Sequence, residues 1–133
     1  MKKNYSLSWV VGVGDQANGG NKKFPVWQDV DCYLDKVKRG KGSLTLSIIG
    51  GPDTGLQFLQ VFSDEGKYVL SLGADDGTDY VVRSYLNPEL KNSEYEILGD
   101  IWSGELVCLD FSIVKEAFEE FLLMGDVSLE LLS

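Results

Sequence analysis

The run Glu105-Leu-Val-Cys-Leu-Asp-Phe111 passes directly into Ser112-Ile-Val-Lys-Glu-Ala-Phe-Glu-Glu-Phe-Leu-Leu-Met124, and this junction constrains the fold more than any other stretch. Val114, Ala117, Phe118, Phe121 and Leu122 recur at spacings of three and four, so they share one face of a helix. Lys115, Glu116, Glu119 and Glu120 fall mostly on the other face, toward water. The expected order is a buried strand over Glu105–Phe111 feeding a helix capped by the Ser112 hydroxyl, with Glu116 near its positive end. Gly125 is placed to stop that helix in a left-handed conformation. Burial of Phe118, Phe121 and Leu122 contributes roughly 1.5 to 3 kcal/mol each, enough to decide where the helix docks.

The remaining elements follow from period and punctuation. Tyr5 to Val13 alternates as a first strand and runs into a glycine-rich connection, Gly12 to Gly20. A helix is expected from about Val26 to Lys38, with Pro25 before it, acids early, and Lys36, Lys38 and Arg39 late. Strands are expected over Ser43–Ile49, Leu56–Phe62, Tyr68–Leu72, Tyr80–Tyr85 and Glu94–Leu98. Turns fall at Gly50–Gly55, Asp64–Lys67, Asp75–Asp79 and Asn87–Glu89, and a loop at Gly99–Gly104 leads into the closing strand and helix. The order β-α-β-β-β-β-β-α points to an α+β fold, an antiparallel sheet of about five to seven strands with two helices on one face.

At 133 residues, 44% of them hydrophobic, the chain suits a single domain spanning 1–133. It has no apolar run near the roughly 18 residues a membrane span needs, and its start lacks a secretory pattern, so a cytoplasmic location away from membranes is expected. Cys32 and Cys108 are then expected to be free, buried thiols. The net charge of −9 is uneven: residues 1–41 carry eight Lys and Arg against four Asp and Glu, and residues 42–133 carry four against seventeen. A field of that sign repels phosphate backbones, which argues against nucleic acid, and attracts basic proteins.

There is no histidine in the chain. That removes Ser-His-Asp and Cys-His catalysis and histidine-ligated zinc together. Two cysteines outside a Cys-x-x-Cys pair do not make a four-cysteine zinc site, and no metal or other cofactor is expected. The glycines at 12, 14, 19 and 20 match neither a dinucleotide fingerprint nor a P-loop, because Ala17 breaks the first and no Gly-Lys-Ser/Thr follows. Asp75, Asp76 and Asp79 lack the other ligands of a calcium-binding loop. Glu94, Glu96, Asp100 and Glu105 cluster around Trp102. They read either as a solvated face or as a carboxylate pair for glycoside chemistry, with the solvated face favoured because no second feature supports an enzyme. Trp9 reads as core and Trp27 as packing against the sheet. Trp102 reads either as an interface anchor rimmed by charge or as a loop residue folded back on the core.

Glu96-Ile97-Leu98-Gly99-Asp100, the Trp102 loop, Leu106–Phe111, and Ser112 with Phe118, Glu120, Phe121, Gly125-Asp126 and Leu129 form a pattern that has relatives. The pattern resembles the closing part of small immunity proteins from bacterial polymorphic-toxin and contact-dependent inhibition systems. The early helix, the Gly-Pro turn and the strand meander look like the same architecture. The resemblance implies a non-enzymatic protein that binds and neutralises a cognate toxin domain, often a nuclease or deaminase. The matched positions are structural, so the expected contacts rest on charge and loop composition: Asp75, Asp76, Asp79, Glu94, Glu96, Asp100, Trp102 and Glu105. A generic protein-interaction module is the nearest alternative, and a carboxylate-dependent enzyme a more distant one.

Overall fold

Along each central strand Leu, Val or Tyr alternates with Ser, Thr or Gln, and this period of two assigns one face to a core and the other to polar surroundings. A computed structural model describes residues 4–12, 14–49, 57–75 and 79–132. The strands are β1 (Asn4–Val11), β2 (Asn18–Lys23), β3 (Lys41–Ile49), β4 (Gln57–Asp64), β5 (Lys67–Asp75), β6 (Tyr80–Ser84), β7 (Glu94–Ile97), β8 (Asp100–Ser103) and β9 (Val107–Cys108). The helices are α1 (Trp27–Lys38) and α2 (Phe111–Met124). The main sheet has the order β2-β1-β3-β4-β5-β6, with β9 also paired to β5, while β7 and β8 form a separate two-stranded hairpin. Every pairing among the described residues is antiparallel.

The apolar face of the sheet carries Tyr5, Leu7, Leu44, Leu46, Leu59, Val61, Tyr68, Leu70 and Leu72. It buries them against Val30 and Leu34 of α1 and Val114, Ala117, Phe118 and Phe121 of α2. The Tyr5 hydroxyl donates to the Phe121 carbonyl at 2.7 Å, and the Gly125 N–H reaches the same oxygen at 2.8 Å, so the end of α2 is tied to the first strand. Gly125 stops the helix at φ 73°, as its position in the sequence suggests.

On the opposite face, Ser6, Ser43, Thr45, Ser47, Gln60 and Ser71 leave most of the sheet polar. It is apolar instead at Phe58 and Val82, which flank Gly73, and, toward the other end, at Phe62 and Val69. There the β7–β8 hairpin docks and makes a second small core from Val69, Ile97 and Val107, with Phe62, Tyr95, Leu98 and Trp102 around it. Two polar contacts fix the docking. Asp64, only 6% exposed, accepts the Leu98 N–H at 2.9 Å, and Lys67 donates to the Glu96 carbonyl at 3.1 Å.

Several local expectations are corrected. The stretch Glu105–Phe111 is not one strand: Gly104–Leu106 is a 3-10 turn, and only Val107–Cys108 pairs with the sheet. The cap of α2 is Asp110, whose carboxylate accepts the Ser112 N–H at 3.0 Å and the Ser112 hydroxyl at 2.6 Å. Ser112 therefore donates to the cap rather than forming it.

The glycine-rich connection contains a 3-10 turn (Gly14–Gln16) and the edge strand β2. No apolar alternation marks β2. Its pairing places Gly20 opposite Trp9, where an added Cβ would come within 2.7 Å of the indole ring, so only glycine leaves room for that ring. The loop at Gly99–Gly104 contains strand β8, closed on β7 by Leu98 (φ 53°) and Gly99 (φ 90°). Two consecutive positive φ values give a type I′ turn, the geometry that matches strand twist. Cys32 is exposed on α1, against the expectation of a buried thiol, whereas Cys108 is buried. The Gly50–Gly55 turn, Val13, Leu56 and Asp76 lie outside the described residues.

Candidate partner-binding surface

The hairpin register sorts the predicted contact residues. Directly paired residues share a face, so Tyr95 with Trp102 and Ile97 with Asp100 lie on the side toward the sheet. Glu94 with Ser103 and Glu96 with Ile101 lie on the outer side. Trp102 is consequently half-buried, its ring 6.1 Å from that of Phe62, and it anchors the hairpin to its own protein. Of the two readings of this tryptophan, the geometry supports the one folded back on the core. The exposed apolar residue of the hairpin is its neighbour Ile101, 64% exposed, which sequence reasoning passed over. The period-two alternation of a strand could have found it, but only once Asp100–Ser103 was recognised as a strand.

Glu94, Glu96 and Asp100 are exposed around Ile101. None of the ion pairs among the described residues includes them or Glu105. Glu105 is half-buried in the 3-10 turn that follows β8, where its carbonyl accepts the Asn87 N–H at 2.6 Å. Beside Ile101 lies an open recess of about 500 Å³ lined by Lys91, Asn92, Ser93, Glu94 and Ser103. An isolated branched apolar side chain, a recess and a rim of carboxylates suit contact with a basic protein surface.

Asp75 and Asp79 do not join this group. Asp75 ends β5 opposite Tyr80, whereas the hairpin packs near Val69, six residues back along the same strand. At about 3.3 Å per residue that separation is roughly 20 Å. The acidic residues expected to form one surface therefore occupy two ends of the sheet, with Asp75 half-buried and Asp79 exposed. Among the described residues no group of three or more His, Cys, Asp and Glu is gathered to hold a metal ion, and no helix is long and apolar enough to cross a membrane.

The family of unknown function DUF6911 matches residues 8–131. The chain belongs to that family. The DUF6911 fold seen here is similar to the crystal structure of a hypothetical protein from Neisseria gonorrhoeae, with a TM-score of 0.75 over 95% of this chain and 90% of that one. At 17% identity this likeness shows the fold alone. No curated protein matches the chain.

Proposed function

We propose that this DUF6911 chain is a protein-binding module that neutralises a basic partner by covering its working surface, as the resemblance to immunity proteins implies for a toxin domain. The observation that carries the reading is Ile101, 64% exposed on the outer face of a docked hairpin beside exposed Glu94 and Glu96, with exposed Asp100 next to it at the turn. Carboxylates on a rim raise the rate of encounter with a basic surface, and a desolvated apolar residue at the centre slows release. The hairpin is well suited to such a load because Asp64, Lys67 and Trp102 hold it against the sheet before any partner arrives. In this reading Trp102 is a positioning residue, and Glu94, Glu96, Asp100 and Ile101 make the contacts. The partner is a basic toxin domain of the nuclease or deaminase kind, met in the cytoplasm.

The test is co-purification of the chain with the product of the gene immediately upstream of its own, followed by expression of that product in cells with and without the chain. Growth arrest relieved by the chain, and no longer relieved by the Ile101→Ala variant, is the expected result. An upstream product that neither binds nor harms the cell contradicts the proposal.

A further inference from the structure

The main sheet ends in two edge strands of opposite composition. Strand β2, Asn-Gly-Gly-Asn-Lys-Lys, is six exposed residues with glycines and lysines, the composition that keeps an edge from pairing with another chain. Strand β6, Tyr-Val-Val-Arg-Ser, has no glycine, proline, lysine or carboxylate, and among the described residues β5 is its one neighbour in the sheet. Tyr80, Val81 and Val82 are each about half exposed. The single charge of the strand is spent inside its own chain: Arg83 donates from Nη1 to Asp126 at 2.8 Å, and from Nη2 to the Val127 and Leu132 carbonyls at 2.6 and 2.9 Å.

The ladder shows which backbone groups of β6 face outward. The Tyr85 N–H donates to the Leu70 carbonyl at 3.2 Å, so these two residues form a hydrogen-bonded pair. Such pairs alternate along an antiparallel ladder, and Arg83 with Leu72 and Val81 with Ala74 are the next two. Tyr80, Val82 and Ser84 therefore turn their N–H and C=O groups away from β5. The side chains sort by the same register. Val81 and Arg83 lie on the helix side, where they line an open recess of about 500 Å³ with Leu72, Phe121 and the exposed Met124. Tyr80 and Val82 lie on the other side with Phe58. Gly73 sits between them, where an added Cβ would meet the Tyr80 hydroxyl and come within 2.7 Å of the Phe58 ring. Both sides of this edge are apolar.

We propose that β6 pairs with β6 of a second copy of this chain, antiparallel about a twofold axis at Val82. In that register Val82 lies opposite Val82, and Tyr80 opposite Ser84, so every outward N–H of the strand meets an outward carbonyl. Val81 packs on the Arg83 stem of the second copy, whose guanidinium is already fixed. A second copy is the occupant because the strand is its own complement, with no group that asks for an opposite charge. At a net charge of −9 two copies repel over most of their surface, and β6 is a stretch without carboxylates where they can meet. The adjacent Asp79 residues fall on opposite sides of the axis, roughly 20 Å apart at about 3.3 Å per residue and beyond the Debye length of about 8 Å at physiological salt. A five-residue edge with an apolar strip on each side belongs to the smallest interfaces, below roughly 1,200 Å², so the dimer is a weak one. The inference does not rest on the proposed partner surface, and salt acts on the two contacts with opposite sign.

The experiment is sedimentation equilibrium of the full chain from about 5 μM to 1 mM, with amide hydrogen exchange at both ends of that range. A monomer–dimer equilibrium with a Kd below about 200 μM is expected, tightening at least about threefold between about 0.05 and 0.5 M NaCl as repulsion is screened. The Tyr80, Val82 and Ser84 amides should exchange at least about threefold more slowly at the high concentration, while those of Val81 and Arg83, bonded to β5 in both states, stay as they are. Val82→Lys sets two ammonium groups against each other on the axis and should weaken the dimer at least about tenfold, with Tm unchanged at the low concentration. A chain that stays monomeric up to about 1 mM overturns the proposal and leaves the edge to another occupant. So does a dimer that Val82→Lys leaves intact, a dimer that salt dissociates, or protection of the outward amides that is equal at both concentrations.

Discussion

At the scale of single residues, burial and capping give the clearest consequences. The Asp29 carboxylate is held below the usual range by its hydrogen bond from Lys22 and then by the Val26 N–H, and Asp110 by the Ser112 hydroxyl and N–H. Each depressed carboxylate contributes stability that is present above its ordinary value of 3.8 and lost as pH falls through the lower folded value. Burial acts in the other direction on Cys108, Tyr5, Tyr68 and Tyr85, raising each above its ordinary value of 9.0 or 10.0. Their neutral forms are the buried ones, so their contribution is intact below those values and lost as pH rises through the folded ones. Melting temperature should therefore hold a plateau between about pH 5 and 8.5 and decline on both sides. Asp110→Asn should flatten the acid limb, and Asp110→Ala should lower Tm more than Ser112→Ala does. Thiol labelling of the native chain separates the cysteines: Cys32 should react at once, and Cys108 only after denaturation. Two fast thiols would contradict the burial of Cys108.

At the scale of elements, the hairpin of β7 and β8 is the informative case. Trp102→Ala removes an apolar anchor that packs beside the buried Ile97 and should cost roughly 2 to 3 kcal/mol, whereas Ile101→Ala, one residue away on the outer face, should change stability by less than about 0.5 kcal/mol. Asp64→Ala leaves the Leu98 N–H without its acceptor and should cost roughly 1 to 3 kcal/mol, with faster hydrogen exchange confined first to the hairpin. Denaturant titration and exchange at Leu98 read these differences directly. The elements with strong period were legible in the sequence: β1, α1, the amphipathic face of α2, and the strands from β3 to β7. Those that were not share a physical cause. Strand β2 is six exposed polar and glycine residues whose pairing comes from β1, not from its own pattern. The β8 strand follows a Leu-Gly turn, and Leu98 at positive φ is a conformation few sequences announce. The cap of α2 lies two residues before Ser112 because the strand pairing ends at Cys108, inside the expected Glu105–Phe111 strand, and leaves Asp110 at the start of the helix.

At the scale of the molecule, the sheet separates two kinds of chemistry. Helices cover one face, and the acidic hairpin covers one end of the other. The edge strand β6 carries exposed apolar residues and no carboxylate. Charge counting located the acidic half but not its surface, because Asp75 and Asp79 are carried away from Glu94, Glu96 and Asp100 along β5. The central claim is that the outer face of the hairpin is what a basic partner meets. The measurement that bears on it most directly is the affinity of the chain for the upstream gene product at low and high salt. It is compared with the affinity of a variant carrying Glu94→Lys, Glu96→Lys and Asp100→Lys. The expected result is an affinity for the unmodified chain that falls as salt rises, and a variant that retains its Tm but binds at least about a hundredfold more weakly with little salt dependence. Equal affinity and equal salt dependence for the two chains would contradict it.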